Sequence, residues 1–245
     1  EGTDLSERVQ LMMMGANKLD GCPRNPLQNV NYVSCHDNYT LFDQLNYILS
    51  DDGGKTEPNI ETVAKASASV NGMVLMSNAI SFINGGEELF RTKIEDNPEA
   101  KDEYCATMYG KRISHNSYKS SDFTNAYDYS RKADLLTYFN MYKDLVSLKK
   151  NLIYSSEIVV KDDNGIYHSG NEAYVVKNGT HGTQVAVTRS AKNGKKYHIC
   201  LNGRNSESKF YAPGEVKFTN YGTALKPSSS GFDVNSPYTL VIIEE

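Results

Sequence analysis

Val30-Asn31-Tyr32-Val33-Ser34-Cys35-His36-Asp37-Asn38 is the stretch from which the fold of this 245-residue chain is read. Val30, Tyr32, Val33 and Cys35 have the branched, aromatic or compact character of an interior strand, so the run is expected to cross a core and deliver His36 and Asp37 to its rim. Thr40 then stands at the N-cap of an expected helix from Leu41 to Leu49, in which Leu41, Leu45 and Ile48 share one face and Asp43 places negative charge in the first turn. A strand, a polar tip and a helix make one βα unit. In a βα barrel such a tip belongs to the catalytic face.

The same rhythm recurs downstream. Residues Asp4 to Leu19 read as a helix, with Met12 to Met14 as core filler, closed by Asp20-Gly21 and by Pro23 and Pro26. Asp51-Asp52-Gly53-Gly54 to Pro58 is a turn, and Ile60 to Asn78 a second helix whose Ala and Ser residues allow close packing. Ala79 to Ile83 is a short apolar strand that ends in the polar tip Asn84-Gly85-Gly86-Glu87-Glu88. From Arg91 to Ser130 periodicity is lost over a length that suits a binding loop, rich in tyrosine, asparagine and aspartate. Arg131 to Asn151 is the clearest helix, with Leu135, Phe139, Tyr142 and Val146 at i, i+4, i+7 and i+11. Beyond Leu152 the texture changes to short alternating segments, Ala173 to Val176, Gln184 to Thr188, Lys196 to Leu201, Glu215 to Phe218 and Tyr238 to Ile243, separated by Asn-Gly and Ser-Gly turns. That is an all-β signature.

Composition narrows the partners. The chain has 26 basic and 30 acidic residues, a net charge of −4, and no basic stripe, which points away from nucleic acid and from an anionic membrane surface. Seventeen tyrosines and eight phenylalanines suit stacking on sugar rings as well as ordinary core packing. Cys22, Cys35, Cys105 and Cys200 are scattered without a Cys-x-x-Cys pair, so neither a zinc site nor a disulfide scaffold is expected. A metal site on His36 and Asp37 is not expected either, because neighbours on an extended strand point to opposite faces. No apolar run is long enough to cross a membrane as a helix.

Tyr32-Val33-Ser34-Cys35-His36-Asp37-Asn38 resembles the last conserved region of the α-amylase superfamily of glycoside hydrolases, in the wording of type I pullulanases of family 13. Three further stretches match in the same order: Asn84 to Lys93, Asn116-Ser117-Tyr118 with Ser120 to Asp122, and Asp128-Tyr129-Ser130-Arg131-Lys132. The resemblance implies an α/β plus all-β chain. Residues 1–151 would form the C-terminal part of a TIM (β/α)8 barrel and residues 152–245 an antiparallel β-sandwich domain. It implies that Asp37 is the transition-state stabiliser, that His36 and Asn38 hold the same sugar, and that Asn116, Tyr118 and Asp122 line neighbouring subsites. Glu87 and Glu88 are implied to shape the loop beneath the site, with salt bridges to Arg91 or Lys93 as the simpler alternative. Ala126 stands where some relatives carry arginine and Tyr129 where many carry tryptophan, which leaves details of substrate grip open.

The family's motifs for the nucleophile and general acid do not occur in this chain. The resemblance therefore implies part of a retaining enzyme that cleaves α-1,6 linkages in pullulan, starch or glycogen-type α-glucans, with an N-terminal half of the same enzyme as its partner. Two alternatives stay open: a non-catalytic glucan-binding or assembly fragment, and an α-amylase or isoamylase relative acting on another α-glucosidic bond. No cofactor is expected, a structural calcium stays possible, and the compartment, bacterial cytoplasm or secreted and cell surface, is undecided.

Overall fold

The computed structural model describes residues 8–9, 12–13, 15, 26–100, 105–151, 159–161, 167–169, 184–191, 194–203 and 207–245. In chain order the strands are β1 (Val30–Asn31), β2 (Ile80–Ser81), β3 (Cys105–Met108), β4 (Lys111–Ser114), β5 (Val159–Lys161), β6 (Tyr167–Ser169), β7 (Gln184–Ser190), β8 (Lys196–Asn202), β9 (Ser208–Phe210), β10 (Glu215–Thr219), β11 (Phe232–Val234) and β12 (Thr239–Glu244). The helices are α1 (Leu41–Ile48), α2 (Ile60–Met76), α3 (Asp122–Asn125), α4 (Arg131–Asp134) and α5 (Leu136–Asn151), with 3-10 turns at Pro26–Gln28 and Glu87–Leu89. Two compact units divide the chain: Glu1–Asn31, Gly72–Phe82 and Asp144–Glu245 form one, Tyr32–Asn71 and Ile83–Lys143 the other.

In the first unit β1 and β2 pair in parallel, with Val30 opposite Ile80. The expected interior strand from Val30 to Cys35 is shorter than its sequence implied, and Val30 is 52% exposed while Asn31 is buried. Among the described residues β1 has one neighbouring strand, and Val30 and Ile80 remain about half exposed, so their branched side chains partly meet solvent. Asn31 is held because its Nδ2 donates to the carbonyl of Met12 at 2.7 Å. Of the expected helix from Asp4 to Leu19, residues 8–9 and 12–13 are helical, and the remainder lies outside the described residues.

The rest of this unit is sheet. Strands β7, β8, β12 and β10 form an antiparallel sheet in the order β10-β12-β8-β7, and β9 pairs with β11. One face of the sheet, Ala186, Cys200, Val241 and Ile243, packs with Phe210, Phe232 and Val234 of the β9–β11 pair. The opposite face meets α2: a Cβ added at Gly72 would lie 2.3 Å from Leu240 Cδ2, so helix backbone sits directly on the sheet. Coverage on both sides explains why Thr239 to Ile243 is a continuous buried run rather than an alternation. The expected segment Ala173 to Val176 lies outside the described residues, and the three-residue strands β9 and β11 are too short to stand out in sequence.

In the second unit Thr40 caps α1, its Oγ1 accepting from the Asp43 N–H at 3.1 Å. The buried face is Leu41, Phe42, Asp43 and Asn46, and Ile48 is 68% exposed, so the expected stripe Leu41, Leu45, Ile48 is rotated from the one observed. Phe42 turns inward because it packs with Val63, Ala64 and Ala68 of α2 and with Phe90, Leu135 and Tyr142. Phe90 is the hub, meeting Phe42, Tyr138 and Tyr142 edge-on at centroid distances of 6.1, 6.5 and 6.0 Å. The stretch from Arg91 to Ser130, expected to lack regular structure, contains the β3–β4 hairpin, turning at Tyr109 and Gly110 with φ of 42° and 74°, and the short helix α3. The single helix expected from Arg131 to Asn151 breaks at the buried Leu135, whose φ and ψ are −117° and 33°.

Candidate active site

Past Asn31 the chain leaves strand geometry and bends at residues 36–38. The bend brings His36 Nε2 to 3.5 Å from Asp37 Oδ2, with the two side chains 87% and 71% exposed. Neighbouring side chains on an extended strand would diverge, so the expected opposition of His36 and Asp37 gives way to a joint polar tip. Asn38, at φ 63°, completes the turn in the left-handed region that asparagine tolerates. No group of three or more potential metal ligands occurs among the described residues.

Buried groups hold this exposed tip from below. Asn84 Nδ2 donates to the carbonyl of Cys35 at 3.1 Å, and Ser34 Oγ donates to Glu87 Oε1. Asn71 Nδ2 donates to Glu87 Oε2 and to the Tyr142 hydroxyl, the latter at 2.9 Å, and Tyr142 is also 2.9 Å from Ser67 Oγ. Burial pushes the Glu87 pKa up, against the lowering effect of its Ser34 and Asn71 hydrogen bonds. Among the described residues Glu87 is held by a hydroxyl and an amide rather than by Arg91 or Lys93, and its carboxylate is turned into the core. It supports the tip and does not face solvent as a reacting group would.

A second buried carboxylate, Asp43, anchors the other side. Its oxygens accept from Thr92 Oγ1, from the Lys93 N–H at 3.0 Å, from Thr40 Oγ1 at 2.9 Å and from the Tyr109 hydroxyl at 3.3 Å. Burial raises its pKa while those four donors oppose the rise. Lys93 continues the line: its backbone pairs with β4, the Ser114 N–H donating to its carbonyl at 2.9 Å. Its Nζ donates to the carbonyls of His36 at 3.3 Å and His115 at 3.5 Å. The Tyr39 and His115 rings meet edge-on at 5.7 Å. The segment beginning at Asn116 is thereby joined to the His36-Asp37 tip.

Beyond Asn116, Ser117 is fixed through its carbonyl, which accepts from Asn125 Nδ2 at 2.8 Å. Asn125 is in turn held by Arg91, whose Nη2 donates to its Oδ1 at 3.3 Å and whose guanidinium lies 5.2 Å from the centre of the Tyr127 ring. Tyr118 is 76% exposed and Asp122 opens α3 on the surface behind the Ser121 cap. Lys93 thus ties together the main chain just before Asp37 and just before Asn116, whereas among the described residues no hydrogen bond or ion pair joins Asp122 to the tip. Sequence reasoning missed the parts played by Lys93, Asp43 and Asn71. Lys93 lies within the Asn84 to Lys93 stretch, and Asp43 reads from sequence as first-turn helix charge, with no periodic signal for the donors that bury it.

No protein-family model matches the chain. Over 125 residues it is 28% identical to a pullulanase of Bacillus subtilis, an alignment covering 51% of this chain and 14% of that protein. Over 110 residues it is 31% identical to a pullulanase of Klebsiella pneumoniae, covering 45% of this chain and 8% of that one. Its fold resembles the catalytic module of the glycogen-degrading pneumococcal virulence factor SpuA, with a TM-score of 0.72, 19% identity, and coverage of 99% of this chain and 39% of that one. It also resembles the Group B Streptococcus pullulanase SAP, with a TM-score of 0.74, 16% identity, and coverage of 99% and 36%. The curated proteins it matches are pullulanases. The chain spans well under half the length of each relative named.

Proposed function

We propose that this chain supplies the transition-state-stabilising part of a retaining debranching glycoside hydrolase that cleaves α-1,6-glucosidic linkages in pullulan-like or branched α-glucans. The observation that carries the reading is the exposed His36–Asp37 pair, set on a bend whose backbone is fixed by buried donors and tied to Asn116. A carboxylate so placed accepts hydrogen bonds from adjacent sugar hydroxyls, and such bonds strengthen as the ring flattens toward an oxocarbenium ion. His36 and Asn38 hold the same sugar; Asn116, Tyr118 and Asp122 contribute neighbouring subsites. The nucleophile and general acid that a double displacement requires come from another part of the enzyme.

The exposed apolar side chains of Val30, Ile80 and Phe82 along the β1–β2 pair support a larger parallel sheet, completed by the N-terminal half of the same enzyme. In this reading residues 1–151 are the C-terminal part of a (β/α)8 barrel and residues 152–245 a β-sandwich domain. The test is Asp37→Ala in the complete enzyme. Turnover of pullulan should fall by about 10²–10³-fold, the size of loss seen when one transition-state contact is removed. Melting should shift little, because the carboxylate is exposed. Near-normal turnover would refute the assignment, and product analysis on pullulan separates α-1,6 from α-1,4 cleavage.

A further inference from the structure

Lys93 is 2% exposed, and a lysine taken so far from water must employ its ammonium. Among the described residues its Nζ meets no carboxylate; it donates to two main-chain carbonyls, those of His36 and His115. These are the residues immediately before Asp37 and Asn116. Because a peptide unit is planar, fixing the carbonyl of one residue also fixes the N–H of the next and the direction from which its Cα continues. One ammonium therefore sets where the chain enters both Asp37 and Asn116. The lysine is itself fixed at both backbone ends, by Asp43 Oδ2 on its N–H and by Ser114 on its carbonyl.

We propose that Lys93 is a positioning residue for the reaction, a buried clamp that holds the Asp37 tip and the Asn116 segment in register around the sugar. The inference rests on the function proposed for Asp37 and adds the residue that aims it. Burial and the neighbouring Arg91 press the Lys93 pKa down, while Asp43 and Asp37 act to keep its charge. Released from the clamp, the two segments drift independently, and a misplacement of about 1 Å at a reacting group costs on the order of 10² in rate.

The experiment uses the complete enzyme on pullulan, with Lys93→Met, Lys93→Arg, Asp37→Ala, Asn116→Ala and the doubles Lys93→Met/Asp37→Ala and Lys93→Met/Asn116→Ala. Lys93→Met should lower kcat by about 10- to 100-fold and raise KM, since both tied segments move. Lys93→Arg, which keeps a donor, should recover the greater part. Residues acting as a unit are non-additive, so the kcat loss from Lys93→Met should shrink in the Asp37→Ala background and its KM effect in the Asn116→Ala background. Wild-type kcat and KM in Lys93→Met, or full additivity with both partners, would overturn the clamp while leaving the Asp37 assignment standing. Near-normal turnover in Asp37→Ala would instead overturn the function and the clamp with it. Should Lys93→Met fail to fold, Lys93→Gln decides: its shorter amide cannot span both carbonyls, so it should show the same kcat loss, and wild-type activity in it would refute the proposal.

Discussion

Lys149, near the end of α5, offers the sharpest physical test of the sheet-bearing unit. It is 7% exposed, and its Nζ donates to the carbonyl of Ser77 at 2.7 Å, just past the C-terminal end of α2. Arg189 on β7 donates to the carbonyls of Met76 at 2.7 Å and Ser77 at 3.3 Å, so two cations converge on one helix end. Burial, and secondarily the Arg189 charge, push the Lys149 pKa from 10.5 down to about 7. At about 1.4 kcal/mol per pH unit, that fall corresponds to about 5 kcal/mol of stability present above pH 10.5 and absent below pH 7. The sign follows from proton counting: between those two values the unfolded chain holds the lysine proton and the folded one does not, so stability rises with pH. Between pH 7.5 and 9.5 the gain is about 2–3 kcal/mol, or about 5–10 °C in Tm for a chain of this size.

Lys149→Met removes that titration. Thermal melts at intervals from pH 6 to 9.5 should show the variant more stable than the wild type at pH 6, where the charged lysine costs most, and the gap narrowing steadily with pH. At high pH the neutral amine still donates to Ser77, so the wild type should draw level or pass the variant. Every other titrating group is common to both proteins and cancels in the difference, including Cys200, whose thiol burial pushes up to about 12. Parallel Tm profiles across this range would refute the burial argument for Lys149.

Two further substitutions test other parts of the fold by thermal melting. Gly214→Ala should lower stability by at least about 2 kcal/mol, because Gly214 has φ 125° and an added Cβ would lie 2.3 Å from the Glu244 backbone carbonyl oxygen; an unchanged Tm would mean that β12 yields there. Glu87→Ala should cost about 2–4 kcal/mol by leaving the Ser34 hydroxyl and the Asn71 amide without their buried acceptor, whereas a shift under 1 °C would show that Glu87 bears no part of the tip's support.

What sequence could reveal followed the range of each signal. The Thr40 cap was legible because its partner is three residues away, and β7, β8, β10 and β12 were legible because five to seven residues suffice for a pattern. The extent of β1 was not, since whether Val30 and Tyr32 lie inside depends on neighbouring strands and not on their own branching or aromaticity. The face of α1 differs from the apolar stripe Leu41, Leu45, Ile48 because Asp43 and Asn46 lie on the buried side. Asp43 is buried by donors from residues 92, 93 and 109, contacts that no helical periodicity encodes. His36 and Asp37 stand out in sequence by motif, while Lys93, which donates to the carbonyl of His36, lies 57 residues away from it.

The arrangement explains why an exposed carboxylate can still be an accurate one. Asp37 itself has few protein contacts, which leaves its oxygens free for hydroxyl groups of a ligand. Its accuracy must then come through the backbone, and the backbone is held on both sides by carboxylates that are not exposed. Glu87 fixes the approach through Ser34, and Asp43 fixes it through the amide and, by way of Lys93, the carbonyl of His36. Each buried acid is a cost unless its acceptor sites are filled, so each enforces the position of its donors far more strictly than an apolar contact of the same size would. A surface loop held only by hydrophobic packing would be free to slide; here sliding would strip a buried carboxyl group of its donors. The two buried acids therefore set the geometry of the bend, and the exposed Asp37 carboxylate is left open to solvent, as the proposed role requires.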